Sequence, residues 1–172
     1  DRIGRVDRDM FEQTWGWFRR SLEEGGSPIS LAVNVSKVGL LQKDFIEYYA
    51  KTKQKYRLPD GYLELEFTEG VLLNDTDLFS DIVRKLQSKG FICSLDDFGS
   101  GYSSLNLLKN LPIDVLKLDI LFFHKSRDIR RERIVVSNVI NMARELNIKT
   151  IAEGVEDMDT VEFLRKAGCN VI

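Results

Sequence analysis

The sequence predicts an α/β fold built on a parallel sheet, a (β/α)8 TIM-type barrel incomplete at both ends. Three observations carry this expectation. Short apolar runs alternate with amphipathic helical stretches, the pattern repeats every few tens of residues, and successive apolar runs end in a polar or charged side chain. An open doubly wound sheet would concentrate its polar residues at one topological switch point, whereas a barrel gathers them from many strand ends. Here the runs end in Asn34, Glu66, Asp96 with Asp97, Lys117 and Glu153, which favours the barrel.

The elements follow in order. Asp7 reads as the N-cap of a first helix carrying Met10, Phe11, Thr14, Phe18 and Leu22, closed by Gly25-Gly26. A strand over 29–35 contains Asn34, a helix over 42–56 stops before Pro59, and a strand over 62–67 leads to Glu66-Phe67-Thr68-Glu69. Asp75 or Thr76 caps a helix that turns Leu78, Ile82, Val83 and Leu86 inward, with Gly90 past its end. The strand 91–95 delivers Asp96-Asp97, 103–108 forms a short helix, and 114–118 is a strand carrying Lys117, with Asp119 just beyond. A long helix over 129–146 buries Val136, Val139, Ile140 and Ala143. Strand 149–152 ends in Glu153-Gly154, a helix over 157–167 stops at Gly168, and a sixth strand begins at Cys169.

No linker, charge block or low-complexity segment divides the chain, so residues 1–172 read as one partial domain. A closed eight-stranded barrel takes roughly 250 residues, so six strands leave about two to be supplied.

Composition removes several function classes. With 25 Lys+Arg against 27 Asp+Glu the net charge is −2, so no basic field exists to track a nucleic acid polymer. No apolar run approaches the roughly 18 residues of a membrane span, so the segment is not expected to insert in a bilayer. Cys93 and Cys169 lie in strand-like apolar stretches, which favours buried thiols in a reducing, cytoplasmic setting. A single histidine, His124, argues against Ser-His-Asp triads and paired-histidine zinc sites. Asp97-Phe98-Gly99 spells a kinase triplet, but no other kinase motif accompanies it. Trp15 and Trp17 on the first helix read as core or surface residues rather than ligand-stacking ones.

What remains is oxygen chemistry. Glu66, Asp96, Asp97 and Glu153, with the amide oxygen of Asn34, form an all-oxygen donor set that suits Mg²⁺ or Mn²⁺. Crowded carboxylates repel unless a cation sits among them, and two such ions would match in-line hydrolysis of a phosphodiester. Lys117, inside Leu116-Lys117-Leu118, needs a partner if buried and could hold water or a phosphate oxygen. The glycines Gly99 and Gly101 suit a loop able to close over substrate.

The string 96–105, Asp-Asp-Phe-Gly-Ser-Gly-Tyr-Ser-Ser-Leu, resembles the EAL domains, the bacterial cyclic-di-GMP phosphodiesterases. Asn34-Val35-Ser36, Glu66-Phe67-Thr68-Glu69, Leu111-Pro112-Ile113-Asp114, Leu116-Lys117-Leu118-Asp119 and Ala152-Glu153-Gly154-Val155-Glu156 resemble the family's other motifs, in its order. The resemblance implies a modified barrel that hydrolyses cyclic-di-GMP to pGpG with Mg²⁺ or Mn²⁺ in bacterial second-messenger signalling. It implies metal ligation by Asn34, Glu66, Asp96, Asp97 and Glu153, with Lys117 holding the nucleophilic water and Glu153 assisting as base. Glu69 would anchor the loop that follows Asp97, and Glu156 and Asp119 would support the site. A homodimer and further signalling domains in the parent protein are implied as well.

The sequence also departs from the family. The Glu-Ala-Leu strand, whose Glu is a metal ligand, and the C-terminal Gln-Gly pair are not among these residues. Gly70 replaces the usual serine, and Ile120-Leu121 replaces a basic residue and serine. The alternative is therefore a degenerate EAL domain that binds cyclic-di-GMP or a partner protein without cleaving.

Overall fold

The computed structural model describes residues 2–27, 29–71, 76–99, 105–119 and 128–172. It divides into two compact units, Asp1–Cys93 and Ser94–Ile172.

In the first unit, helix α1 (Arg2–Glu23) carries an aromatic spine of Phe11, Trp15 and Phe18, all buried, at the i, i+4, i+7 spacing of one helical face. Phe11 and Trp15 meet edge to face with centroids 5.3 Å apart, and Trp15 and Phe18 do so at 6.2 Å. Phe11 also stacks on Tyr49 at 4.0 Å. Tyr49 belongs to α3 (Phe45–Lys55), which follows a four-residue helix α2 (Lys37–Leu40) that periodicity alone does not reveal. Two sequence expectations change here. The helix starts at Arg2, so Asp7 lies inside it and is not its N-cap. Met10 is 55% exposed, because the buried stripe is centred on Trp15 and Met10 lies about 100° to one side of Phe11.

Strand β1 (Leu31–Asn34) pairs in parallel with β2 (Leu63–Thr68), from Leu31 opposite Leu63 to Asn34 opposite Glu66. β2 is buried through Leu63, Glu64, Leu65, Glu66 and Phe67, the pattern of a strand covered on both faces. Phe67 packs edge to face on Phe79 of α4 (Thr76–Gln87) at 5.2 Å. The inward stripe of α4 is Phe79, Ile82, Val83 and Leu86, so Leu78, expected inside, is 48% exposed on its flank. Lys53 of α3 is 7% exposed, pairs with Asp60 and donates to the Lys89 carbonyl, just past α4, at 2.6 Å. Gly90 closes over this pair at φ +80°, where a Cβ would strike Asp60 and the Lys53 amine.

The second unit is a parallel ladder. Strand β3 (Ile92–Phe98) pairs with β4 (Val115–Leu118), which pairs with β5 (Lys149–Ala152). Between β3 and β4 lies α5 (Leu105–Asn110). Helix α6 (Ile129–Glu145) is capped by Asp128, whose carboxylate accepts from the amides of Arg130 and Arg131, and it buries Val136, Val139, Ile140 and Ala143 as expected. Helix α7 (Met158–Ala167) is capped by Asp157 and ends at Gly168 in the left-handed region. The sixth strand is reduced to one parallel bridge, Ile151 to Val171, flanked by Asn170, whose Oδ1 accepts from the Thr150 amide at 2.8 Å. Cys93 and Cys169 are free thiols; Cys93 is buried, whereas Cys169 is half-buried. Among the described residues no helix is long and apolar enough to cross a membrane.

The spine sets two opposite stability outcomes. Trp15→Ala should cost about 3–5 kcal/mol by emptying the centre of the spine. The Tyr49 hydroxyl is buried with no hydrogen-bond partner among the described residues, and burial pushes its pKa up. Tyr49→Phe should therefore stabilise by about 1 kcal/mol. Urea unfolding of both variants measures this.

Candidate functional site

The polar strand ends sit where a parallel sheet places them, at the carboxyl edge. In the first unit the last register pair of β1 and β2 is Asn34 and Glu66, and the ladder continues one step as the Val35 amide donates to the Glu66 carbonyl at 2.9 Å. Asn34 is exposed, whereas Glu66 is buried. Glu69 is half-buried in the single 3-10 turn Glu69–Val71 that follows β2.

In the second unit the carboxyl edge is built around a break in strand register. Leu95 pairs with Leu116, but the next partner of Leu118 is Phe98, so β3 spends three steps where β4 spends two. The extra residue is accommodated by Asp96-Asp97. Asp97 takes a positive φ of 57°, open to aspartate more readily than to most residues, and its amide donates to the Asp96 carboxylate at 2.8 Å. Strict alternation would send two consecutive side chains to opposite faces. The bulge instead makes both aspartates part of one edge. Gly99 follows at φ +99°, while Gly101 lies outside the described residues.

Lys117 lies on the face of β4 opposite Leu116 and Leu118, both buried. Its register partner is Ile151, and two residues further, just past the end of β5, comes Glu153, the diagonal neighbour on the same face. The Lys117 amine is 2.6 Å from Glu153 Oε1, with side chains 12% and 48% exposed. The partner that a buried lysine requires is thus present. Asp119 is half-buried just past β4, its amide donating to the Phe98 carbonyl at 3.4 Å. Glu153 is fixed by its own amide, which donates to the Leu118 carbonyl at 3.0 Å, and Gly154 turns the chain away at φ +71°. Glu156 is exposed in the loop before α7, where Asp157 does the capping.

This edge is electrostatically crowded. Partial burial raises the Asp97 carboxyl above its ordinary value, the charges of Asp96, Asp119 and Glu153 raise it further, and Lys117 opposes them. An added cation would relieve that strain, and the donors are all oxygens, so the set fits a hard divalent ion. Among the described residues no group of three or more His, Cys, Asp or Glu side chains is placed so that it could hold a metal ion as it stands.

Asp7 is the residue that the sequence pattern misassigned. It touches Ser36, immediately downstream of Asn34-Val35. The signal was the unbroken helical stretch Arg2 to Val6 ahead of it, which leaves Asp7 no helix start to cap.

The chain is similar to proteins already known. The family pattern described as EAL domain matches residues 1–172. The cyclic di-GMP phosphodiesterase PA2567 of Pseudomonas aeruginosa is 34% identical over 165 residues, 96% of this chain and 27% of the relative, so the chain spans about a quarter of that protein's length. The crystal structure of the EAL domain of Mycobacterium smegmatis DcpA superposes with a TM-score of 0.87 at 32% identity, covering 98% of this chain and 76% of that one. The MucR phosphodiesterase in its c-di-GMP complex gives 0.86 at 32%, covering 98% and 69%.

Two predictions follow from the acidic edge. Because the folded chain holds the Asp97 proton more tightly than the unfolded chain, stability falls as pH rises from the ordinary value of 3.8 through the raised one. In chelator-treated protein, Asp97→Asn should melt higher than wild type above that window and lose the advantage below it, as read by thermal melts across pH. A double-mutant cycle of Lys117→Met and Glu153→Gln should give a favourable coupling of about 1 kcal/mol, above that of an exposed pair.

Proposed function

The chain belongs to the EAL domain family, and on that footing we propose that it carries the catalytic edge of a phosphodiesterase hydrolysing cyclic-di-GMP to linear pGpG. The observation that carries this reading is the Lys117–Glu153 pair beside the Asp96-Asp97 bulge, a cation and carboxylates at the carboxyl ends of adjacent parallel strands. PA2567 is named a cyclic di-GMP phosphodiesterase, and the MucR structure holds c-di-GMP, which supports the choice of substrate.

In this proposal Asn34, Glu66, Asp96, Asp97 and Glu153 would hold Mg²⁺ or Mn²⁺. Bound there, the ion would supply Lewis-acid polarisation of the phosphoryl oxygens and a more acidic water. Lys117 donates a hydrogen bond that orients the attacking water, and Glu153 receives the proton the water gives up. The water oxygen forms a bond to phosphorus, the bond from phosphorus to the ribose 3′ oxygen breaks, and that oxygen is reprotonated. One ring linkage opens and a 5′-phosphate remains. Glu69, Gly99 and Gly101 serve the loop after Asp97, and Asp119 and Glu156 support the edge. A homodimer, attached signalling domains and a cytoplasmic setting complete the proposal, in keeping with relatives several times the length of this chain and a second messenger as substrate.

The test is conversion of cyclic-di-GMP to pGpG by the full-length protein with Mg²⁺ or Mn²⁺. Lys117→Ala, Asp96→Asn and Glu153→Gln should each lower turnover by at least about 100-fold while folding normally. Tight binding of cyclic-di-GMP by wild type without any pGpG would overturn catalysis in favour of a binding domain.

A further inference from the structure

We propose that Asp7 is a positioning residue that aims Asn34, acting through Ser36 from a helix whose sequence gives no hint of a role in the site. The inference rests on the reading of Asn34 as a metal ligand.

Its basis is a chain of three contacts. Asp7 Oδ2 accepts from the Ser36 amide at 3.2 Å and from the Ser36 hydroxyl at 2.5 Å. The same hydroxyl accepts from the Gly39 amide at 3.0 Å, so Ser36 caps α2 while bound to α1. Gly39 is buried against this carboxylate, and a Cβ at that position would collide with Asp7 Oδ2. Asn34 is therefore held on both sides. Upstream it is the last register pair of the β1–β2 ladder, and Val35 continues that ladder by donating to the Glu66 carbonyl. Downstream, two residues away, the backbone is pinned by a charge-assisted pair of hydrogen bonds.

The Asn34 side chain itself makes no hydrogen bond among the described residues, which leaves the backbone that carries it as the lever on where it points. Asp7 is in turn rigidly mounted. Its neighbour Arg8 pairs with Asp44 at 2.5 Å and lies 4.4 Å over the Tyr48 ring, fastening α1 to α3 and its approach. Supporting residues of this kind, which touch neither metal nor substrate, typically change metal affinity by 10–100-fold when removed.

The experiment is a Mn²⁺ titration of the full-length protein followed by electron paramagnetic resonance, which reads free ion whether or not the protein turns over. Asp7→Ala and Ser36→Ala should each weaken Mn²⁺ binding about 10-fold, with Asp7→Asn in between and Ser36→Thr close to wild type. In an active protein the Mg²⁺ concentration for half-maximal hydrolysis should rise in parallel, with turnover at saturating Mg²⁺ less affected. Asp128→Ala, which removes the cap of helix α6, controls for stability and should leave Mn²⁺ affinity unchanged. Unchanged Mn²⁺ affinity in both Asp7→Ala and Ser36→Ala would overturn the proposal, as would an equal loss in Asp128→Ala. Absence of pGpG formation with a preserved Asp7 effect on Mn²⁺ would instead reject catalysis and keep the positioning role.

Discussion

Like charges cannot be gathered at one rim of a sheet without an opposing charge, and this constraint organises the second unit. Asp96, Asp97, Asp119 and Glu153 meet at the carboxyl ends of β3, β4 and β5, and Lys117 answers them from within the strand between. A lysine placed there must lose most of its water, which is tolerable only with a carboxylate in contact. Glu153 meets that need because parallel register makes it the diagonal neighbour of Lys117. The pairing is thus a property of the ladder, and helix α6 packs against its outer strand β5.

The first unit solves a different problem, securing the chain on either side of Asn34. Among the described residues no hydrogen bond holds the Asn34 side chain, and the helix that reaches the backbone beside it is anchored by its aromatic spine. Phe11, Trp15 and Phe18 lock the helix, Arg8 and Glu12 tie it to α3 and its flanks, and Asp7 reaches the chain just after Asn34. The helix that carries the aromatic core of this unit also secures the chain beside Asn34.

Much of this was legible in the sequence because period and punctuation agreed. The strand at Lys149–Ala152, the helix beginning at Ile129 with its four inward residues, and the cap-to-glycine span from Asp157 to Gly168 all follow from local pattern. The strand-end polar residues were legible for the same reason, since a charge terminating an apolar run has few other places to go. What was not legible depended on contacts across the chain. Met10 and Leu78 are apolar residues at helical spacing, and only the partner surface decides which neighbour, Phe11 or Phe79, turns inward. The short α2 is held by Ser36 and Asp7, which are 29 residues apart, so no local window contains its cause. Asp7 itself is a residue type that caps helices often enough to be mistaken for one that does.

The bulge at Asp96-Asp97 carries a last consequence, for length rather than for identity. Everywhere else in β3 a residue gained or lost would turn the remainder of the strand inside out. At this one point the ladder already tolerates an odd count, and deleting a residue would repair the register with β4. The repaired strand would be the more regular one, free of a left-handed aspartate, yet it would keep a single acid where two now stand. Regularity of the sheet and the acidity of its rim are therefore opposed at this point, and the chain holds the less regular arrangement.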